Sequence, residues 1–143
     1  MYKTVLFATD FDDVGIHAAH KARKIAEENG AVLLLVHVVE PIPAYAYPGF
    51  AGFSEVEVSI REQAEKELHK LAEQLGVDEK HRFLEFGSTK NEVLRVAEEH
   101  HVDLIVSGSN GKHGFALLLG STADAILHAA HCDMLIVRPP VSK

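Results

Sequence analysis

Residues 107–124 hold the densest run of residue types suited to binding chemistry. They read Ser107-Gly108-Ser109-Asn110-Gly111, then eight residues, then Gly120-Ser121-Thr122-Ala123-Asp124. Gly108 and Gly111 directly follow a strand-like run, Asp103 to Ser107. Glycines at such a point let the main chain approach a ligand closely and take positive φ. Gly120-Ser121-Thr122 opens a helical pattern, with Ser121 expected as N-cap and Asp124 three residues on, in the manner of a capping box. The free amides and positive dipole end of a helix start suit an anion, phosphate above all. The hydroxyls of Ser121 and Thr122 add donors. The spacer of residues 112–119 is long beside βα connections of roughly 2–6 residues, and long connections are often functional. An ordinary turn followed by an ordinary cap would use the same residues, so shape leaves both readings open.

Other chemistries find less support. A Walker A loop is excluded, because His113 follows Gly111-Lys112 and no glycine lies five positions before Gly111. G-x-G-x-x-G fails because position 110 is Asn. The 107–111 run is one glycine short of a G-x-S-x-G hydrolase elbow. Asp10, Asp12 and Asp13 resemble the acidic cluster of a response-regulator receiver. That reading needs an aspartate after the third strand and a lysine after the fifth, where the chain has Gly87-Ser88 and Arg138-Pro139. His17/His20 and His128/His131 are paired at i, i+3, but two ligands are too few for a zinc site. Magnesium accompanying a bound phosphate group, held by its oxygens with Asp10, fits better. Lys112 and His113 are read as solvated, and Cys132 as a small buried hydrophobe.

The elements that must position these residues alternate in type. Val5 to Ala8 is a buried-strand run. A helix over 13–29 places Ile16, Ala19, Ile25 and Ala26 inward and stops at Asn29-Gly30. Ala31 to Val39 is almost wholly apolar, broken by His37, as in a strand covered on both faces. Glu40 to Gly49, with three prolines, is an irregular loop. Ala64, Leu68, Leu71 and Leu75 step by 4, 3 and 4 and mark a helix over 54–75, ended by Gly76. Residues 81–86 form a strand. Ser88 to His100 forms a helix with Val93, Val96 and Ala97 inward. Residues 103–107 are a strand, 121–131 a helix with Ile126, Leu127 and Ala130 inward, and 134–137 the last strand. This β-α-β-α-β-α-β-α-β order predicts an α/β fold: an open, doubly wound parallel sheet of five strands with helices on both faces. Ligands in such sheets bind at the carboxyl ends of the strands, where the winding reverses.

The 143 residues, 47% hydrophobic and 24% charged, fit one globular domain spanning 1–143 and exclude disorder. Fourteen Lys and Arg against 21 Asp and Glu give a formal net charge of −7, a poor generic match to nucleic acid. No apolar run approaches the ~18 residues that span a bilayer, so no membrane role is expected. The N-terminus enters a strand directly, without a signal-peptide pattern, and one cysteine excludes an internal disulfide. A cytoplasmic location is the expectation.

Three stretches together resemble the universal stress protein family. Val5-Leu6-Phe7-Ala8-Thr9-Asp10 is similar to its first strand ending in aspartate, and Leu34 to Val38 to its second strand. Gly108-x2-Gly111-x8-Gly120-Ser121 is similar to its nucleotide motif, G-x2-G-x9-G-[ST], one residue shorter in the spacer. The resemblance implies a Rossmann-like sheet of order 3-2-1-4-5 and an ATP or AMP ligand. It also implies a set of contacts. Ser107, Gly108 and Gly111 would approach ribose and phosphate. Gly120, Ser121 and Thr122 would hold phosphates. Ala8, Thr9 and Asp10 would meet the adenosine side, and the Val38 main chain would read adenine. A homodimer paired partly through the last strand, Asp133 to Arg138, is implied too. The function expected is a nucleotide-binding stress-response regulator with slow or no hydrolysis, since no positioned base or nucleophile lies near the phosphate seat. The alternatives are a partner-binding module of the same fold without nucleotide and, ranked last, an ATP-using enzyme.

Overall fold

Five runs of branched and apolar residues become strands, and each is followed by a helix until the last. The computed structural model describes residues 1–11, 13–41, 53–109 and 121–140. The strands are β1 (Thr4–Ala8), β2 (Val32–Val39), β3 (Arg82–Phe86), β4 (Leu104–Gly108) and β5 (Asp133–Val137). The helices are α1 (Asp13–Asn29), α2 (Phe53–Leu75), α3 (Thr89–Glu99) and α4 (Ser121–Ala129). A short 3-10 turn, Glu79–His81, precedes β3. The strands pair wholly in parallel in the order β3-β2-β1-β4-β5, as expected. The expected loop at 42–49 lies outside the described residues.

Side-chain alternation along the strands divides the core into two layers. Val5 and Phe7 of β1, Leu33 and Leu35 of β2, and Leu104 and Val106 of β4 face α1 and α2. Leu6, Leu34, Val36, Val38 and Ile105 face α3 and α4. The central strands are buried on both faces, which is why they read as unbroken apolar runs. The 4-3-4 spacing of α2 and the Val93, Val96 and Ala97 face of α3 pack inward as expected. Two inward expectations fail. In α1 the buried face is Ala18, Ala19, Ala22 and Ala26, while Ile16 is exposed. Small side chains let α1 lie close on the sheet, and a bulky Ile would hold it off. In α4, Ala123 and Ile126 are buried and Leu127 is exposed.

Three helices end in the same way. At α1 the amide of Gly30 donates to Glu27 O and that of Ala31 to Ala26 O. At α2, Gly76 donates to Glu73 O and Val77 to Ala72 O. At α3, His101 donates to Glu98 O and Val102 to Ala97 O. Each is a Schellman cap with its pivot in the left-handed region, at φ 64° for Gly30, 66° for Gly76 and 52° for His101.

Side chains tie the amino ends of the strands together. The Asp103 carboxylate accepts from the amides of Lys3 (2.9 Å) and Thr4 (3.1 Å), joining the start of β1 to that of β4. Tyr2 Oη donates to Asp133 at 2.9 Å. Among the described residues, no helix is long and apolar enough to cross a membrane.

Candidate functional site

The strands part company at the carboxyl edge of the sheet between β1 and β4. Their paired register ends with Phe7 opposite Val106. On the outer sides pairing continues: β1 follows β2 to Ala8 opposite Val36, and β4 follows β5 to Gly108 opposite Val137. Beyond those pairs, Thr9 N donates to Val36 O at 3.0 Å and Ser109 N to Val137 O at 2.9 Å. Each central strand therefore turns its hydrogen bonding outward, leaving a cleft at the reversal of winding, where open α/β sheets bind ligands.

Two buried polar residues stand among the described ones, Thr9 at 7% and Ser109 at 5% exposure. They are the residues just past β1 and β4, on either side of that cleft. A buried hydroxyl needs a partner. Thr9 Oγ1 accepts from the Phe11 amide at 3.0 Å, which tightens the turn out of β1. Phe11 there takes φ 67°, rare for a residue with a side chain. His37 Nδ1 lies 2.6 Å from Thr9 O, and the His37 and Phe11 rings meet with centroids 4.2 Å apart.

The structure brings most of the expected residues to this end of the sheet. Ala8 is half-buried, Thr9 buried and Asp10 exposed at the end of β1, while Ser107 and Gly108 are half-buried at the end of β4. Val38 is buried near the end of β2, opposite Glu85. Ser121 and Thr122 are exposed in the first turn of α4, which starts at the same edge because the helix returns antiparallel to β4. Gly111 and Gly120 lie outside the described residues, as do Asp12, Lys112 and His113. Ser121 is the first residue of the helix itself and not the N-cap the sequence suggested. Ser109 and Phe11 carried no signal in the sequence. His37 did, as the break in an apolar strand.

Two further cavities lie away from this cleft. One of about 400 Å³ sits at the opposite end of the sheet, between the ends of α3 and α4, lined by Leu94, Glu98, His101, Val102, His131 and Cys132 among others. One of about 290 Å³ lies beside the end of β3, where Arg61 covers the Phe86 ring. Among the described residues no cluster of three or more His, Cys, Asp or Glu is disposed to hold a metal.

The sequence model of the universal stress protein family matches residues 1–138. This chain belongs to that family. Universal stress protein A homolog 2 of Coxiella burnetii is 39% identical over 139 residues, covering 96% of this chain and 95% of its own. The structure of a universal stress protein, UspA from Lactobacillus plantarum, has a TM-score of 0.81 at 23% identity, over 96% of this chain and 98% of that one, a likeness of fold. A universal stress protein crystallised in complex with cAMP has a TM-score of 0.63 at 27% identity, over 96% and 97% of the two chains. The five-stranded Rossmann-like sheet is thus the fold of the family's solved members.

Proposed function

We propose that this universal stress protein is a single domain over residues 1–143 that binds ATP or AMP and acts as a cytoplasmic stress-response regulator, with slow or no hydrolysis. The observation that carries this reading is the pair of buried hydroxyl residues, Thr9 just past β1 and Ser109 just past β4, placed where the pairing of those two strands has ended and next to Gly108. Such a cleft pairs closely approachable main chain with polar groups, as a sugar-phosphate requires. The cAMP complex of a relative supports an adenine nucleotide as the ligand class. In this reading Ala8, Thr9 and Asp10 meet the adenosine side and the Val38 main chain reads adenine. Ser107, Gly108 and Gly111 approach ribose and phosphate. Gly120, Ser121 and Thr122 hold the phosphates at the start of α4, where exposed hydroxyls and helix-end amides favour an anion. Magnesium accompanies the phosphates, with Asp10 as its protein contact.

The same reading pairs two copies through the last strand, Asp133 to Arg138. That strand lies at the sheet edge, and Met134, Leu135 and Ile136 on it are only half-buried. A strand edge with apolar side chains at its flank favours a partner strand.

Calorimetry with ATP and AMP, with and without magnesium, tests the proposal. Saturable binding of either is expected, lost on Gly108→Val while circular dichroism stays native. Absence of binding at millimolar nucleotide overturns it and leaves the partner-binding module. Phosphate release at catalytic rates overturns the regulatory part alone.

A further inference from the structure

We propose that His37 is the positioning residue for the turn that carries Asp10. It lies on β2 opposite Leu84 of β3, on the same strand face as Leu33 and Leu35, which pack in the α1/α2 layer. Val36 and Val38, by contrast, face the α3/α4 layer. The imidazole therefore reaches the end of β1 from the α1/α2 side of the sheet. Its Nδ1 lies 2.6 Å from Thr9 O. A carbonyl only accepts, so Nδ1 carries the hydrogen and the tautomer is set. Thr9 is then held at three atoms: its amide donates to Val36 O, its Oγ1 accepts from the Phe11 amide, and its carbonyl accepts from His37. Phe11, left-handed at φ 67°, lays its ring against the same imidazole, with centroids 4.2 Å apart and planes at 38°.

One side chain thus holds both ends of a three-residue turn, Thr9 by a hydrogen bond and Phe11 by its ring. Asp10 is at the exposed crest between them. Sparsely populated backbone persists only where the surroundings over-determine it, and such places cluster at binding sites. His37 would act through the turn, without touching the ligand. Its effect on nucleotide affinity rests on the function proposed above, while its effect on the turn does not.

An Asn side chain places its amide nitrogen close to where the His Nδ1 stands, so His37→Asn keeps the donor and His37→Leu removes it. The measurements are AMP affinity by calorimetry and hydrogen exchange of the Phe11 amide by NMR. His37→Leu is expected to weaken AMP binding about fivefold, the size of one net hydrogen bond, and to speed Phe11 exchange. His37→Asn is expected to restore both. A mere gap-filling histidine predicts the opposite order, because Leu fills the space better than Asn. If H37L does not fold, H37Q replaces it, since its amide nitrogen falls nearer the Nε2 position. Any pattern other than loss in the donor-less variant and rescue by Asn overturns the proposal. If the wild-type protein binds neither ATP nor AMP, the nucleotide reading fails, and Phe11 exchange across the same variants still decides the role of His37.

Discussion

Replacing His101 by glycine should make the protein more stable. The three Schellman caps share one bond pattern, and the pivot is Gly30, Gly76 or His101. An L residue in the left-handed region costs roughly 1–2 kcal/mol through crowding of its Cβ. Glycine avoids that cost but loses about 0.5–1 kcal/mol more backbone freedom on folding. The difference predicts a gain of about 0.5–1 kcal/mol for His101→Gly, read as a melting temperature higher by ~2–4 °C. His101 is exposed, so little packing is lost to offset the gain. The reverse change supplies the control. A Cβ at Gly30 would meet nothing within 4 Å, and one at Gly76 would meet only Arg23 Nη2 at 3.8 Å. Gly30→Ala should therefore show an almost pure backbone effect, a loss of about 1 kcal/mol. Urea denaturation with a common m-value for all variants gives the comparison. A lower midpoint for H101G, or no change for G30A, would refute the account of these caps.

Asp103→Ala should cost about 2 kcal/mol, because one carboxylate satisfies two amides at the start of β1, and Asp103→Asn should cost about half as much; denaturant midpoints that leave both variants like wild type would contradict this. Burial pushes the Cys132 thiol up, helped by the nearby Asp133 and Asp103 carboxylates, so at neutral pH it should react slowly with a disulfide reagent and much faster in urea; equal rates in the two conditions would count against it. The Tyr2 phenol is raised, first by its hydrogen bond to Asp133 and then by desolvation. Its contribution to stability is fully present below the unfolded value of about 10 and is lost as pH rises through the higher folded value. Ultraviolet titration against a Tyr2→Phe control should show this, and Asp133→Asn should bring the midpoint back down.

Much of the architecture was legible because it depends on pattern. The 4-3-4 steps of α2 admit one buried face, and doubly covered strands must be apolar along their length. What stayed hidden depends on distance. Periodicity marked Ile16 as inward, yet the close seat of α1 on the sheet selects its alanines. The same limit misplaced Leu127. At the candidate site, Gly108, Asp10, Ser121 and Thr122 announced themselves by type and spacing. Thr9 was named by resemblance alone, and Ser109 was missed as a contributor. Burial of a small hydroxyl depends on where two neighbouring strands stop pairing, which no local pattern encodes. His37 was visible as an interruption, but its partner is 28 positions away along the chain.

The two borders of the sheet differ in kind. Along β3, Arg82 is spent on the Val77 carbonyl and Glu73, Glu85 is bound to Arg95, and Phe86 lies under Arg61. Along β5 the flanking residues are Met134, Leu135 and Ile136. If two molecules join β5 to β5 about a twofold axis, the sticky border is consumed in a single event, and the ten-stranded product ends on both sides in the charged β3 border. Growth would then halt at the pair, because neither outer border of the product repeats the strand that joined it.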